Sequence, residues 1–149
     1  MKVLLVEDES HKREELTQCI QDVLGIEPLI VDAVSSAVHA VRTEVFDVIV
    51  LDMALSTFGE SAIDEKKGHD QADGGIEVLR ALKSTGNFPK IVIVTQYGDF
   101  YLGGKKIKLR DSAKVIHERY KQRVVGAILY HYKSKATLQK VRSILRQCL

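Results

Sequence analysis

Four mainly apolar runs in this sequence each stop at a residue that can do chemistry. Lys2-Val3-Leu4-Leu5-Val6 meets Glu7-Asp8, and Phe46-Asp47-Val48-Ile49-Val50-Leu51 meets Asp52. Lys90-Ile91-Val92-Ile93-Val94 ends in Thr95, and Ala127-Ile128-Leu129-Tyr130-His131-Tyr132 leads to Lys133. An aspartate that ends a buried strand is often only a turn residue. In an open α/β sheet, however, the carboxyl ends of the strands are where ligands bind, and parallel strands bring all four ends to one edge. Three carboxylates gathered there repel, and their pKa values rise unless a cation sits between them. Oxygen ligands without paired His or Cys suit a hard ion such as Mg²⁺. With an ammonium from Lys133 and a hydroxyl from Thr95, the set forms a cradle for a phosphoryl group around Asp52.

The elements that must position these residues can be read from the pattern. The run ending at Asp52 shows no polar alternation, as expected for a strand buried on both faces. Ser10 is placed to cap a first helix carrying Leu16, Cys19 or Ile20, Val23 and Leu24, with Gly25 as its stop. Pro28-Leu29-Ile30-Val31 reads as a second strand. Ser35 or Ser36 is placed to cap a second helix through Val38 and Val41. After Asp73-Gly74-Gly75, Ile76, Leu79 and Leu82 recur at helical spacing until Gly86-Asn87. A fourth helix from about Ser112 carries Ile116, Tyr120 and Val124 and is expected to end at Gly126. The fifth strand is expected at 127–132, and Ser134 then caps a last helix with Leu138, Val141 and Leu145. Segments 53–72 and 96–111 follow no clear period and read as two long loops of the kind that often bind or cover ligands. Five strands alternating with five helices predict one α/β domain over residues 1–149, with a doubly wound parallel sheet.

Composition narrows the class. Apolar residues make up 45% of the 149-residue chain and charged residues 28%, as in soluble globular domains. No apolar run reaches the roughly 18 residues needed to cross a membrane, and the N-terminus lacks a signal-peptide pattern. A cytoplasmic protein is expected. Cys19 and Cys148 show no metal or redox spacing and are expected as free thiols. The net charge of +2 hides an asymmetry: residues 103–149 hold 13 Lys+Arg against 2 Asp+Glu. Such polarity steers acidic partners. Nucleic acid is not expected, because basic helices are ordinarily solvated faces and Tyr120 falls on the core side of its helix. No G-x-x-x-x-G-K-[ST] loop or G-x-G-x-x-G fingerprint is present.

The ordered set resembles the receiver domain of two-component response regulators over nearly the whole chain. The signposts are Glu7-Asp8, the run from Phe46 to Asp52, Asp73-Gly74-Gly75-Ile76-Glu77-Val78-Leu79, Thr95, and Gly126-Ala127 leading to Tyr130 and Lys133. The resemblance implies a flavodoxin-like fold with strand order 2-1-3-4-5. It implies that Asp52 is the phosphoacceptor and that Glu7, Asp8, Asp52 and the Ala54 carbonyl hold Mg²⁺. Thr95 would be the switch hydroxyl, Lys133 the family's lysine, and Tyr130 the aromatic switch position. The partners implied are a histidine kinase and a downstream protein effector.

The sequence also departs from the family. Ser56 stands four residues past the acceptor where Pro is usual, and Ser134 replaces the Pro after the lysine. A cis bond before Ser is costly, so a trans bond or a local shift is expected there. Gln96 follows the switch hydroxyl where Ala is common, and its longer side chain is expected to cover part of the site. Both loops beside the site are enlarged. The expectation is a stand-alone receiver without an output domain, which catalyses only its own phosphorylation and dephosphorylation and switches a protein contact. A homodimer through the basic fourth helix is one form such a contact can take. The alternative is a non-phosphorylated receiver-like scaffold that binds through its rebuilt loops and basic helix.

Overall fold

The computed structural model describes residues 1–55, 74–102 and 104–149. Five strands form one parallel sheet: β1 (Val3–Val6), β2 (Leu29–Val31), β3 (Val48–Leu51), β4 (Lys90–Thr95) and β7 (Arg123–Leu129). Their order is β2-β1-β3-β4-β7, which is the expected 2-1-3-4-5 when only the parallel strands are counted. Among the described residues five helices connect them: α1 (Ser10–Leu24), α2 (Val34–Thr43), α3 (Gly74–Thr85), α4 (Ser112–Tyr120) and α5 (Lys135–Arg146).

Because successive strand residues point to opposite faces, each central strand feeds two cores. Leu4, Val6, Ile49, Leu51, Ile91 and Ile93 pack with α2, α3 and α4 on one face. Val3, Leu5, Val48, Val50, Val92 and Val94 pack with Leu16, Ile20, Val141 and Leu145 of α1 and α5 on the other. Each such side chain, fully buried, contributes about 1.5–3 kcal/mol relative to exposure. This double burial accounts for the unalternated apolar runs of β1, β3 and β4.

Local signals were met in part. Gly25 ends α1 in the left-handed conformation (φ 69°), its N–H donating to Gln21 O. Gly86, with φ 74°, follows α3. Ser134 caps α5 by accepting from Thr137 N–H at 3.2 Å. Ser10 is instead the first residue of α1, behind a Glu9 N-cap whose side chain makes no capping bond. Ala33 is the N-cap of α2, and Ser36 Oγ donates back to the Ala33 carbonyl.

Two expectations are corrected. Segment 96–111 is not all loop. It contains an antiparallel hairpin, β5 (Asp99–Leu102) with β6 (Lys105–Lys108), followed by a single 3-10 turn at Leu109–Asp111. Phe100 and Leu102 enter the core while Asp99 and Tyr101 face out.

The last strand also starts and ends early. Helix α4 stops at Lys121 in the left-handed region (φ 56°), and Gly126 lies inside β7 opposite Val92. A Cβ at Gly126 would lie 2.0 Å from Ile144 Cδ1, so the glycine marks the close approach of α5 rather than a helix stop. Val124 consequently belongs to β7 and not to α4. The strand closes with Tyr130 N–H donating to Thr95 O at 2.7 Å, leaving His131, Tyr132 and Lys133 beyond the sheet. Ser56 and most of the segment 53–72, with the potential cation ligands Asp64, Glu65, His69 and Asp70, lie outside the described residues.

Candidate phosphoacceptor site

Asp52 is the residue after β3, and its backbone N–H donates to Val6 O at 3.3 Å. The Val6–Leu51 register between β1 and β3 therefore sets it beside Glu7 and Asp8. One carboxylate oxygen from each of Glu7, Asp8 and Asp52 lies within 4.8 Å of the others, and all three residues are buried. Asp52 Oδ1 accepts from the Ala54 N–H at 3.0 Å, which fixes the carboxylate plane. Helix α3 presses on this turn from below. Gly75 N–H donates to Met53 O at 3.1 Å, and a Cβ on Gly75 would lie 2.7 Å from Met53 Cα. Only glycine permits that approach.

The carboxylates enclose a cation from an unexpected place. Lys12, in the first turn of α1, is 0% exposed. Its Nζ lies 2.7 Å from Glu7 Oε1 and 3.3 Å from Asp52 Oδ2, donates to Val94 O at 2.8 Å, and stands 5.5 Å from the centre of the Tyr130 ring. Burial alone would lower the Lys12 pKa, but the facing charges of Asp52 and Glu7 outweigh it and hold the ammonium above the usual lysine range. Burial, reinforced by the charge of Asp52, pushes the Glu7 carboxyl up to about 8 against the pull of Lys12. Lys12 contacts two of the three carboxylates, Glu7 and Asp52. The buried, all-oxygen donor set fits a hard ion.

Thr95 ends β4, fully buried, and its Oγ1 accepts from Tyr97 N–H at 3.3 Å. Gln96 turns outward and its amide donates to Glu9 Oε2 at 3.1 Å, so it spans the rim between the ends of β4 and β1. His11 Nε2 lies 3.0 Å from the same Glu9 oxygen, and its ring meets Tyr132 edge-on at 4.4 Å. Tyr130 is buried, with its hydroxyl bonded to Glu15. Burial and that bond push the phenol pKa upward.

Lys133 is not at a strand end. It is exposed, takes the left-handed conformation (φ 57°), and holds its ammonium 5.4 Å from the Tyr132 ring. The Lys133–Ser134 bond is trans. The early end of β7 is the physical reason. Tyr130 completes the last rung against Thr95, and the chain turns before the lysine is reached.

The chain is 24% identical over 140 residues to the Detocs response regulatory protein DtcB of Enterobacter cloacae, a match spanning 91% of each. Among solved structures it is similar to the chemotaxis response regulator CheY4 of Vibrio cholerae, with a TM-score of 0.64 and 18% identity over 99% of this chain and 98% of that one. A signal receiver domain from Clostridium thermocellum superposes with a TM-score of 0.63 at 21% identity, over 99% and 96% of the two chains. The chain has the receiver fold. No family model matches it.

Within this receiver fold, Glu7, Asp8, Asp52 and Thr95 stand together at the carboxyl edge as expected from sequence, and Ala54 stands next to Asp52. Lys133 is exposed beyond the end of β7 with its ammonium beside Tyr132, whereas Lys12 contacts Glu7 and Asp52. Its sequence signal is its spacing. Lys12, Leu16, Cys19 and Ile20 are the buried residues of α1, so a lysine occupies the first position of the helix's apolar stripe. A lysine on such a stripe is ordinarily solvated, and is informative only once a carboxylate cluster is known to face it. The aromatic residues of 96–111 divide: Phe100 is core, while Tyr97 and Tyr101 are exposed.

Proposed function

We propose that this receiver domain accepts a phosphoryl group on Asp52 from the phosphohistidine of a partner kinase. The observation that carries the reading is the buried carboxylate trio at the edge of a parallel sheet, with Asp52 held by the Ala54 N–H. An Asp52 carboxylate oxygen attacks phosphorus, and the P–N bond to the donor imidazole breaks. The electron pair stays on that nitrogen, which takes a proton from solvent. Hydrolysis of the acyl phosphate later regenerates Asp52. Glu7, Asp8, Asp52 and the Ala54 carbonyl would hold Mg²⁺, which supplies charge neutralisation for the phosphoryl oxygens. Burial keeps water from competing for the same charges.

Thr95 and Tyr130 are adjacent at the end of the sheet, joined by the Tyr130 N–H to Thr95 O bond. Movement of the Thr95 hydroxyl toward a phosphoryl oxygen would therefore disturb the packing of Tyr130. Such a local charge change biasing a two-state element is how this protein would alter contact with an effector. Gln96 at the rim narrows access to small donors. The test is chemical trapping. After incubation with acetyl phosphate and Mg²⁺, borohydride reduction should convert position 52 to homoserine, read by peptide mass. Trapping at another aspartate, or none from either acetyl phosphate or a phosphorylated histidine kinase, would reject the assignment.

A further inference from the structure

We propose that Lys12, in place of Lys133, is the lysine that serves the Asp52 site, neutralising the acceptor before transfer and holding a phosphoryl oxygen afterwards. The inference rests on the reading of Asp52 as the acceptor. Its first support is position. The Lys12 ammonium reaches the ends of four neighbouring strands at once: Glu7 after β1, Asp52 after β3, Val94 in β4, and the Tyr130 ring after β7.

Its second support is that this is a costly place for a lysine. A cation in the first turn of a helix opposes the helix dipole, and complete burial strips the ammonium of water. If packing were the only demand, leucine or methionine would fill this end of the apolar stripe. The facing carboxylates are what make lysine tenable. The third support is the state of Lys133, which is exposed, turned back through a left-handed residue and placed against Tyr132.

The chemistry is consistent with the placement. Ammonium is a compact charge with three donors on a flexible stem. When Asp52 becomes an acyl phosphate, its carboxylate charge is replaced by phosphoryl oxygens on the same side chain. The ammonium can follow that charge with a small rotation, keeping its bond to Val94 O. Lys12 neither gains nor loses a proton in the step.

The experiment compares wild type, Lys12→Met, Lys12→Gln and Lys133→Ala by two readouts. Mg²⁺ affinity is measured by calorimetry, and the rate of phosphoryl transfer from acetyl phosphate is measured at saturating Mg²⁺. Lys12→Gln carries the same loss of charge and keeps a donor toward Val94 O, should Lys12→Met fail to fold. Removing the ammonium should tighten Mg²⁺ binding about tenfold or more, because a like charge leaves the metal site. It should also slow phosphoryl transfer about 100-fold, as expected for one lost electrostatic contact to the transferring group. Lys133→Ala should match wild type in both. Wild-type transfer in the Lys12 variants, or a comparable loss in Lys133→Ala, overturns the proposal. If wild type itself accepts no phosphoryl group, the acceptor reading fails, and the metal readout then decides Lys12 alone. Tighter binding retains Lys12 as the site's cation, and unchanged binding removes it.

Discussion

Lys12 Nζ lies 3.3 Å from Asp52 Oδ2, in a pocket where both side chains are buried. This pair joins the first turn of α1 to the end of β3. Breaking a buried ion pair by removing one partner leaves the other charge uncompensated. Lys12→Met should therefore lower the stability of the metal-free protein by about 3 kcal/mol. Mg²⁺ should restore most of that loss, because a divalent cation replaces the missing charge. Denaturant unfolding with and without Mg²⁺ checks both statements. A Lys12→Met protein as stable as wild type without metal would show that the ion pair contributes nothing net.

The raised Glu7 carboxyl sets a pH dependence. In the unfolded chain Glu7 titrates near 4.5, and in the metal-free fold near 8. Between these values the folded state holds a proton that the unfolded state has released. Stability from this group is thus fully present below pH 4.5 and declines as pH rises toward 8. The total is on the order of a few kcal/mol. Glu7→Gln should flatten that part of the metal-free stability profile. A wild-type profile parallel to that of Glu7→Gln over this range would contradict the account.

The same carboxyl links metal to protons. A carboxylate must be ionised to bind a metal, so binding releases whatever proton it carries. Calorimetric titration with Mg²⁺ at pH 7, repeated in buffers of different ionisation heat, should show proton release approaching one per ion bound. Glu7→Gln should abolish it. Release that is independent of Glu7 would place the coupled group elsewhere.

Gly75 holds the turn that carries Asp52 in place by having no side chain. A Cβ there would meet Met53 Cα and Sδ at 2.7 Å and Asp52 O at 3.2 Å. Gly75→Ala should destabilise the fold by about 1–3 kcal/mol and weaken Mg²⁺ binding, because the turn that carries Asp52 must shift. Gly86→Asn makes a useful contrast. Gly86 has a positive φ but nothing within 4 Å of an added Cβ, and asparagine tolerates that conformation. Thermal unfolding of the two variants separates crowding from backbone strain.

What the sequence shows and what it hides follow from the physics of each signal. The strands β1, β3 and β4 are legible because burial on both faces leaves continuous apolar runs, and each stops at a polar residue the sheet edge needs. The hairpin was written as plainly, in the alternation Asp99-Phe100-Tyr101-Leu102 followed by Gly103-Gly104 and Lys105. The many lysines of β6 disguise it as a basic loop, although lysine is a common guard on an exposed strand. The start of β7 is ambiguous in the sequence because Gly126 has two meanings. A glycine can stop a helix, or it can let a helix approach a strand, and only the position of Ile144 distinguishes them. Lys133 lies beyond the sheet because β7 ends three residues before the apolar run does, and Lys12 is hidden because its partners are remote in sequence. The carboxylates were legible from local pattern alone, whereas the cation was a tertiary fact.

The central claim is that Asp52 is a phosphoacceptor served by the buried carboxylates around it. Intact-mass spectrometry after incubation with acetyl phosphate tests it most directly, with and without Mg²⁺ and with Asp52→Asn as control. A single phosphoryl adduct that requires Mg²⁺ and is absent in Asp52→Asn is the predicted result. An adduct that persists in Asp52→Asn, or no adduct from either a small donor or a phosphorylated histidine kinase, would contradict it.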